Sequence, residues 1–242
     1  MPVRELVSRD ARSLTLAEGE LPYMLVRRRG RRGVGLKVDE NGLTVSAPVT
    51  MPVSRIEALV RESEAWVLKK IDQWRSRRAP VVEWVDGARL PFLGGGLTLA
   101  IASGGRARAE RVDSQIRATV RSLDGAEIRR VVVAWYKREA MAYLQERVLA
   151  LSQAARLEPP KLMLSSALAR WGSCNTRREV RLAWRLVKAP PELVDYVICH
   201  ELAHLRHMDH SPRFWAEVER QCPDYRRLRA RLFDTDYLYR SF

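Results

Sequence analysis

All four histidines of the 242-residue chain, His200, His204, His207 and His210, fall within eleven consecutive positions, in the run His-Glu-Leu-Ala-His-Leu-Arg-His-Met-Asp-His. No other feature limits the fold as tightly. Two histidines four residues apart project from one face of a helix, about one turn from each other. Neutral imidazoles so placed can both reach one metal ion, and the intervening Glu201 then lies close enough to act on a water held by that ion. The chain must therefore supply a helix here, a core that buries it, and a further donor that returns to the same point.

The helix can be read directly. Pro190-Pro191 stops the preceding segment, and a proline in the first turn is compatible with a helix start. Leu193, Val194, Val197, Ile198, Leu202 and Leu205 make the stretch largely apolar. His200 and Glu201 are thus polar groups in a segment expected to be buried, where leaving them unpaired costs on the order of several kcal/mol. A catalytic zinc site removes that conflict: it takes three protein ligands, keeps one position open, and lowers the pKa of its bound water toward ~7. Glu201 is then the base that takes the water's proton and delivers it to the leaving group.

The third ligand is a choice between His207 and His210. If the helix continues, His207 lies roughly 10.5 Å beyond His200 along the axis and overshoots the metal. His210 sits in Met208-Asp209-His210-Ser211-Pro212, where Asp, Ser and Pro favour a turn that brings the chain back. The spacing of His200, His204 and His210 is also that of the metzincin pattern HExxHxxGxxH, although His207 stands at the place of the turn glycine and no separate Met-turn is evident. The expected ligands of a Zn2+ cofactor are His200, His204 and His210, with Glu201 as the catalytic residue.

The rest of the chain reads as support for this helix. Residues 21–48 alternate and turn, with two strands around Glu40-Asn41-Gly42, since Asn-Gly supplies the positive φ of a tight hairpin. Ser54-Arg55-Ile56-Glu57 has capping-box form, and apolar residues from Ile56 to Trp74 recur at the spacing of one helix of about five turns. Residues 81–122 return to short apolar runs broken by glycines, as in a small antiparallel sheet; Gly94-Gly95-Gly96 lacks the Gly-Lys-Ser/Thr of a phosphate loop and reads as a turn. Residues 127–157 contain no Gly or Pro and form a long amphipathic helix expected beneath the site. The segment 162–187 reads as two strands joined by the loop Trp171–Asn175. The whole is an α+β chain, with a β-rich N-terminal lobe carrying one helix over residues 1–125 and a catalytic core over 126–242, packed as one continuous unit. No internal repeat is visible.

Composition adds less. The formal charge is +14, but only six of the 43 basic residues are Lys, a skew that a GC-rich genome produces by itself. The run Arg27-Arg28-Arg29-Gly30-Arg31-Arg32 is the candidate for a nucleic-acid contact through a basic surface, against the plainer reading of a solvated strand or loop. Cys174, Cys199 and Cys222 are an odd count without CxxC spacing, so reduced thiols are expected. The N-terminal stretch has no apolar h-region and no segment is apolar enough for a membrane span, which points to a cytoplasmic protein without a membrane partner. Nothing in the sequence sets an oligomeric state.

Three segments carry a resemblance to a known family: Arg170-Trp171-Gly172-Ser173-Cys174, then Asp195 through His204, then His210-Ser211-Pro212-Arg213-Phe214-Trp215. In this order they resemble the signature of the YgjP-like zinc metallopeptidases, relatives of the SprT-like proteases, and residues 27–74 are similar as well. The resemblance implies a zincin-like metallopeptidase core, a polypeptide substrate, His200, His204 and His210 as ligands and Glu201 as base. Arg170, Asn175 and His207 are candidates for polarising substrate or an oxyanion, against the readings of a surface ion pair, a turn residue and a helix-end cap.

Peptide-bond hydrolysis, with substrate added to the exposed edge of a Val180–Val187 strand, is the leading function. The alternatives are a metal-dependent nucleotide (phosphoanhydride) hydrolase, a nucleic-acid-associated protease acting on DNA-bound proteins, and a binding module with a structural zinc. The last would need four ligands and no Glu201.

Overall fold

Asn41-Gly42 closes a hairpin as its residue types require: Gly42 takes a φ of 94°, and Asp39 accepts a hydrogen bond from the Asn41 N–H at 3.0 Å. The computed structural model describes residues 5–16, 19–39, 41–75 and 79–242, so Glu40 of the expected turn lies outside the described residues. The hairpin joins β3 (Gly35–Asp39) to β4 (Gly42–Pro48), which extend β1 (Leu6–Leu16) and β2 (Gly19–Arg28) into a sheet of order β1-β2-β4-β3. Leu21, Tyr23, Leu25, Leu43 and Val45 from this sheet form one core with Ile56, Val60 and Val67.

Those last three residues belong to two helices, not one. The chain breaks at Ser63, between α1 (Val53–Glu62) and α2 (Glu64–Arg75), where the Ser63 N–H turns back to the Val60 carbonyl at 3.1 Å. Nor does the expected capping box form. Pro52 is the N-cap, and Glu57 instead accepts the Tyr23 hydroxyl at 3.1 Å. Arg27 of the basic run donates to the carbonyls of Pro48, Val49 and Met51 at 2.9, 3.1 and 2.5 Å. Its guanidinium holds the connection into α1 and is not offered to a polyanion.

The chain divides into two units, Met1–Arg78 and Ala79–Phe242, and not at 125/126 as the sequence suggests. The reason is shared burial: Leu90, Leu99, Ile116 and Val120, from the second group of strands, enclose one core with Ile128, Val132 and Trp135 of the long helix. Those strands are β5 (Arg89–Phe92), β6 (Gly95–Ser103), β7 (Arg108–Val112) and β8 (Gln115–Val120), in the order β5-β6-β8-β7. The sheet is mixed rather than antiparallel, because β6 and β8 run parallel. It repeats the strand order and pairing senses of the first sheet. Such a repeat is invisible in residue identities because topology follows alternation and turns, not particular side chains.

Of the three glycines at 94–96, Gly94 is the turn residue. Leu93 and Gly94 take φ values of 48° and 76°, and the turn docks through the Leu93 N–H on the Val187 carbonyl at 2.7 Å. A Cβ at Gly94 would stand 2.9 Å from Pro190 Cα. The glycine therefore lets the β5–β6 turn pack against the residue that precedes the histidine helix.

Helix α3 (Gly125–Ala154) crosses beneath that helix as expected, burying Trp135, Tyr136, Ala140, Leu144 and Val148. Three strands follow: β9 (Lys161–Ser165), β10 (Gly172–Cys174) and β11 (Glu179–Ala183), ordered β10-β11-β9. Gly172-Ser173-Cys174 is thus a strand and not the loop. The turn is Asn175–Arg178, where Asn175 Oδ1 accepts the N–H groups of Arg177 and Glu179 at 3.0 Å each and Arg178 takes a φ of 59°. Strand β11 is central and Trp184–Lys188 is a 3₁₀ turn, so the expected docking edge at 180–187 does not exist. The edge strands are β10 and β9, and β10 is the one that lies against Glu201.

The chain ends with α4 (Pro191–Ala203), α5 (Pro212–Gln221) and α6 (Tyr225–Tyr239). Pro191 opens α4 at its first position, and a two-pronged ion pair, Arg147 to Asp195 at 2.9 and 2.8 Å, clamps α4 to α3. The three cysteines are unpaired thiols. No described helix is long and apolar enough to cross a membrane.

Candidate metal centre

Helix α4 ends sooner than its hydrophobic pattern suggests. Ala203 is its last residue, and the N–H groups of Leu205, Arg206 and His207 fold back in tight bonds to Leu202 and Ala203. The chain is then redirected by the start of α5, where Ser211 Oγ accepts the Phe214 N–H and Pro212 fills the first helical position. Arg206 and Arg220 both donate to the Ala155 carbonyl, at 3.2 and 3.3 Å, and both face the buried Glu217. This network ties the turn and α5 to the end of α3.

The redirected chain brings His210, not His207, to the first two histidines. One ligand atom from each of His200, His204 and His210 lies within 4.8 Å of the others. The Nε2 atoms of His200 and His210 stand 3.3 Å apart. His204 Nδ1 lies 3.1 Å from the His207 carbonyl oxygen, so its N–H donates there and Nε2 keeps its lone pair. Phe214, fully buried, packs on all three rings at centroid distances of 5.0, 4.5 and 4.7 Å, and Trp215 closes the outer side.

Electrostatics favour the neutral form of the His200 and His204 rings. Burial, and then the neighbouring imidazoles, push His200 down to about 4; burial also lowers His204, against the pull of the His207 carbonyl. Glu201 is buried beside them and pushed up to about 7, with the Arg170 charge acting in the opposite sense. Its Oε2 has no hydrogen-bond partner among the described residues. Three imidazole nitrogen donors and an unpartnered carboxylate oxygen form a set that fits a divalent metal ion and would be costly to bury without one.

The YgjP-like, metallopeptidase domain family matches residues 32–235. The chain belongs to this family. No curated protein matches this YgjP-like chain. Two solved structures are similar to part of it. The metallopeptidase zymogen abylysin of Pyrococcus abyssi is 21% identical with a TM-score of 0.35, over 37% of this chain and 91% of that one. Jannalysin of Methanocaldococcus jannaschii, likewise a metallopeptidase zymogen, is 18% identical with a TM-score of 0.32, over 37% and 96%.

Of the other candidates, Arg170 is near enough for its charge to act on Glu201. Asn175 is committed to its turn: besides the two N–H groups it accepts, its Nδ2 donates to Glu179 at 2.9 Å. His207 contributes its main-chain carbonyl. Sequence reasoning misses Phe214 and Gly172. Phe214 sits four residues past His210 on the apolar side of α5. A glycine inside a strand marks close approach, and at Gly172 an added Cβ would collide with Glu201 Oε1 and stand 2.7 Å from its Cδ.

Gly172→Ala is accordingly expected to keep its metal while losing at least ~10-fold in turnover, because a 1 Å displacement of a catalytic group costs up to ~100-fold. Metal content and kcat measured on the same preparation check this. Unchanged kcat would mean that Glu201 moves aside without consequence.

Proposed function

We propose that this YgjP-like metallopeptidase hydrolyses peptide bonds with a zinc ion held by His200, His204 and His210 and with Glu201 as general base. The observation that carries the reading is the convergence of three imidazoles next to the buried Glu201, whose Oε2 has no hydrogen-bond partner among the described residues. In a tetrahedral site with zinc–nitrogen bonds of ~2.0–2.1 Å, ligand nitrogens stand about 3.3 Å apart. The separation of His200 Nε2 and His210 Nε2, 3.3 Å, is already of that size. When bound, the ion supplies Lewis acidity to the scissile carbonyl and to the attacking water.

The chain supplies the rest. Low pKa values at His200 and His204 keep the rings available as donors at neutral pH. Glu201 accepts the proton of the attacking water and carries it to the departing amine. Gly172 allows the Glu201 carboxyl to lie directly against β10. Trp171 and Asn175 bond to Ala183 and Glu179 of β11, which by strand alternation turns the main-chain groups of Gly172 and Cys174 outward. An extended substrate can add to that edge and pass beside Glu201. The phosphoanhydride alternative lacks support: Gly94 packs on Pro190 in a turn, and no phosphate loop is present among the described residues.

The purified chain is expected to contain about one zinc, the metal that three imidazoles and an open position suit best, and to cleave unfolded polypeptide. Chelation should abolish cleavage and zinc should restore it. Absence of zinc together with failure of the metal-free chain to take it up would remove the reading. Cleavage that survives complete chelation would do the same.

A further inference from the structure

Strand β10 has two faces, and the site uses only one of them. Gly172 pairs with Leu182 on the face turned to Glu201, while Ser173 pairs with Arg181 on the opposite face. A concavity opens on that second face, bordered by Ser165, Arg170, Trp171, Gly172, Ser173 and Arg181. It carries surplus positive charge. Arg170 is exposed and makes no hydrogen bond or ion pair with a described residue. Arg181 meets Glu179 only at 3.9 Å, and that carboxylate also serves Asn175 at 2.9 Å and Lys161 at 3.9 Å. Two arginines and two serines therefore border one small space at the edge strand.

A peptide extended along β10 places successive side chains on alternate faces. One set points to the Glu201 side; the neighbouring set lies over Ser173 and Arg181. We propose that this concavity is a substrate subsite that takes an aspartate or glutamate side chain next to the bond being cleaved. The inference rests on the peptidase reading above and names its substrate class. A carboxylate suits the space because a guanidinium presents a planar fork of donors that matches two carboxylate oxygens, and serine hydroxyls donate to the remaining lone pairs.

The chain's overall positive charge would attract any acidic peptide, so the test must be positional. A neutral peptide series carrying one glutamate moved residue by residue is incubated with the wild-type chain, and the cut position is read by mass spectrometry. The cut is expected to follow the glutamate in constant register. The ratio of kcat/KM for the best-placed glutamate to that for glutamine should be at least about fivefold, more than a typical exposed ion pair gives. Arg181→Glu should reverse the ratio and favour a lysine at the same place, and Arg181→Gln should bring it near one. In parallel, binding of the same fluorescent peptides is measured with Glu201→Gln alone and with Arg181→Glu added.

Cleavage with no fixed register, or with a register unchanged in Arg181→Glu, overturns the subsite and leaves the peptidase reading standing. Position-dependent and Arg181-dependent binding without cleavage by the wild-type chain keeps the subsite and overturns the peptidase reading. Neither cleavage nor Arg181-dependent binding overturns both.

Discussion

Glu201→Gln is expected to retain its zinc and to lose ~10²–10⁴-fold in turnover, the range that a positioned general base contributes. The amide is nearly isosteric and still fits the space that Gly172 leaves open. It cannot accept a proton from water. Burial favours the neutral form at this position, as the upward shift of Glu201 to about 7 shows, so the substitution does not place an uncompensated charge in the core. Stability should therefore hold or rise slightly while turnover falls. Metal content, thermal unfolding and kcat measured together check the separation. Turnover close to that of the wild type would dismiss Glu201 as the base and leave the histidines a metal site of another kind.

The parts of the site that could be read from sequence are those set by spacing within one element. His200 and Glu201 lie on a helix whose apolar residues and opening prolines are local signals, and His204, its C-cap, keeps helical dihedrals and so stays one turn from His200. The same holds for the hairpin at Asn41-Gly42 and for α3. What escaped depends on which strand lies beside which. Gly172-Ser173-Cys174 spans three residues, too short for an alternation pattern, and it becomes a strand only because β11 offers a partner. That pairing makes β11 central, leaves β10 as an edge strand, and brings Gly172 against Glu201. The division of the chain at 78/79 escaped for a similar reason, since β5–β8 alternate like the first sheet but bury their apolar side on α3. Asn175 shows the converse: its role as a turn residue is a local property, and the structure uses all of its amide that way.

His210→Ala and His207→Ala are expected to differ sharply, although the two residues are three apart in one turn. Removing the His210 imidazole takes away one of three donors whose ligand atoms converge within 4.8 Å. Zinc affinity should fall by more than the ~10–100-fold that losing a supporting, non-ligating group costs, and activity should fall with it. His207 supports the centre in another way: its main-chain carbonyl, 3.1 Å from His204 Nδ1, fixes which nitrogen of that ring carries the proton. Alanine retains that carbonyl. His207→Ala should therefore keep zinc affinity within about tenfold of the wild type, with a modest change in kcat. The distinction does not depend on how far α4 runs. The helix stops at Ala203, earlier than its apolar pattern suggests, yet it is still His210 that returns, because Ser211 and Pro212 set where α5 begins. Titration of the metal-free variants with zinc, followed by a competing chelator, measures both affinities on one scale. Equal loss in the two variants would show that the His207 ring is itself a ligand, and would overturn the assignment of the third donor.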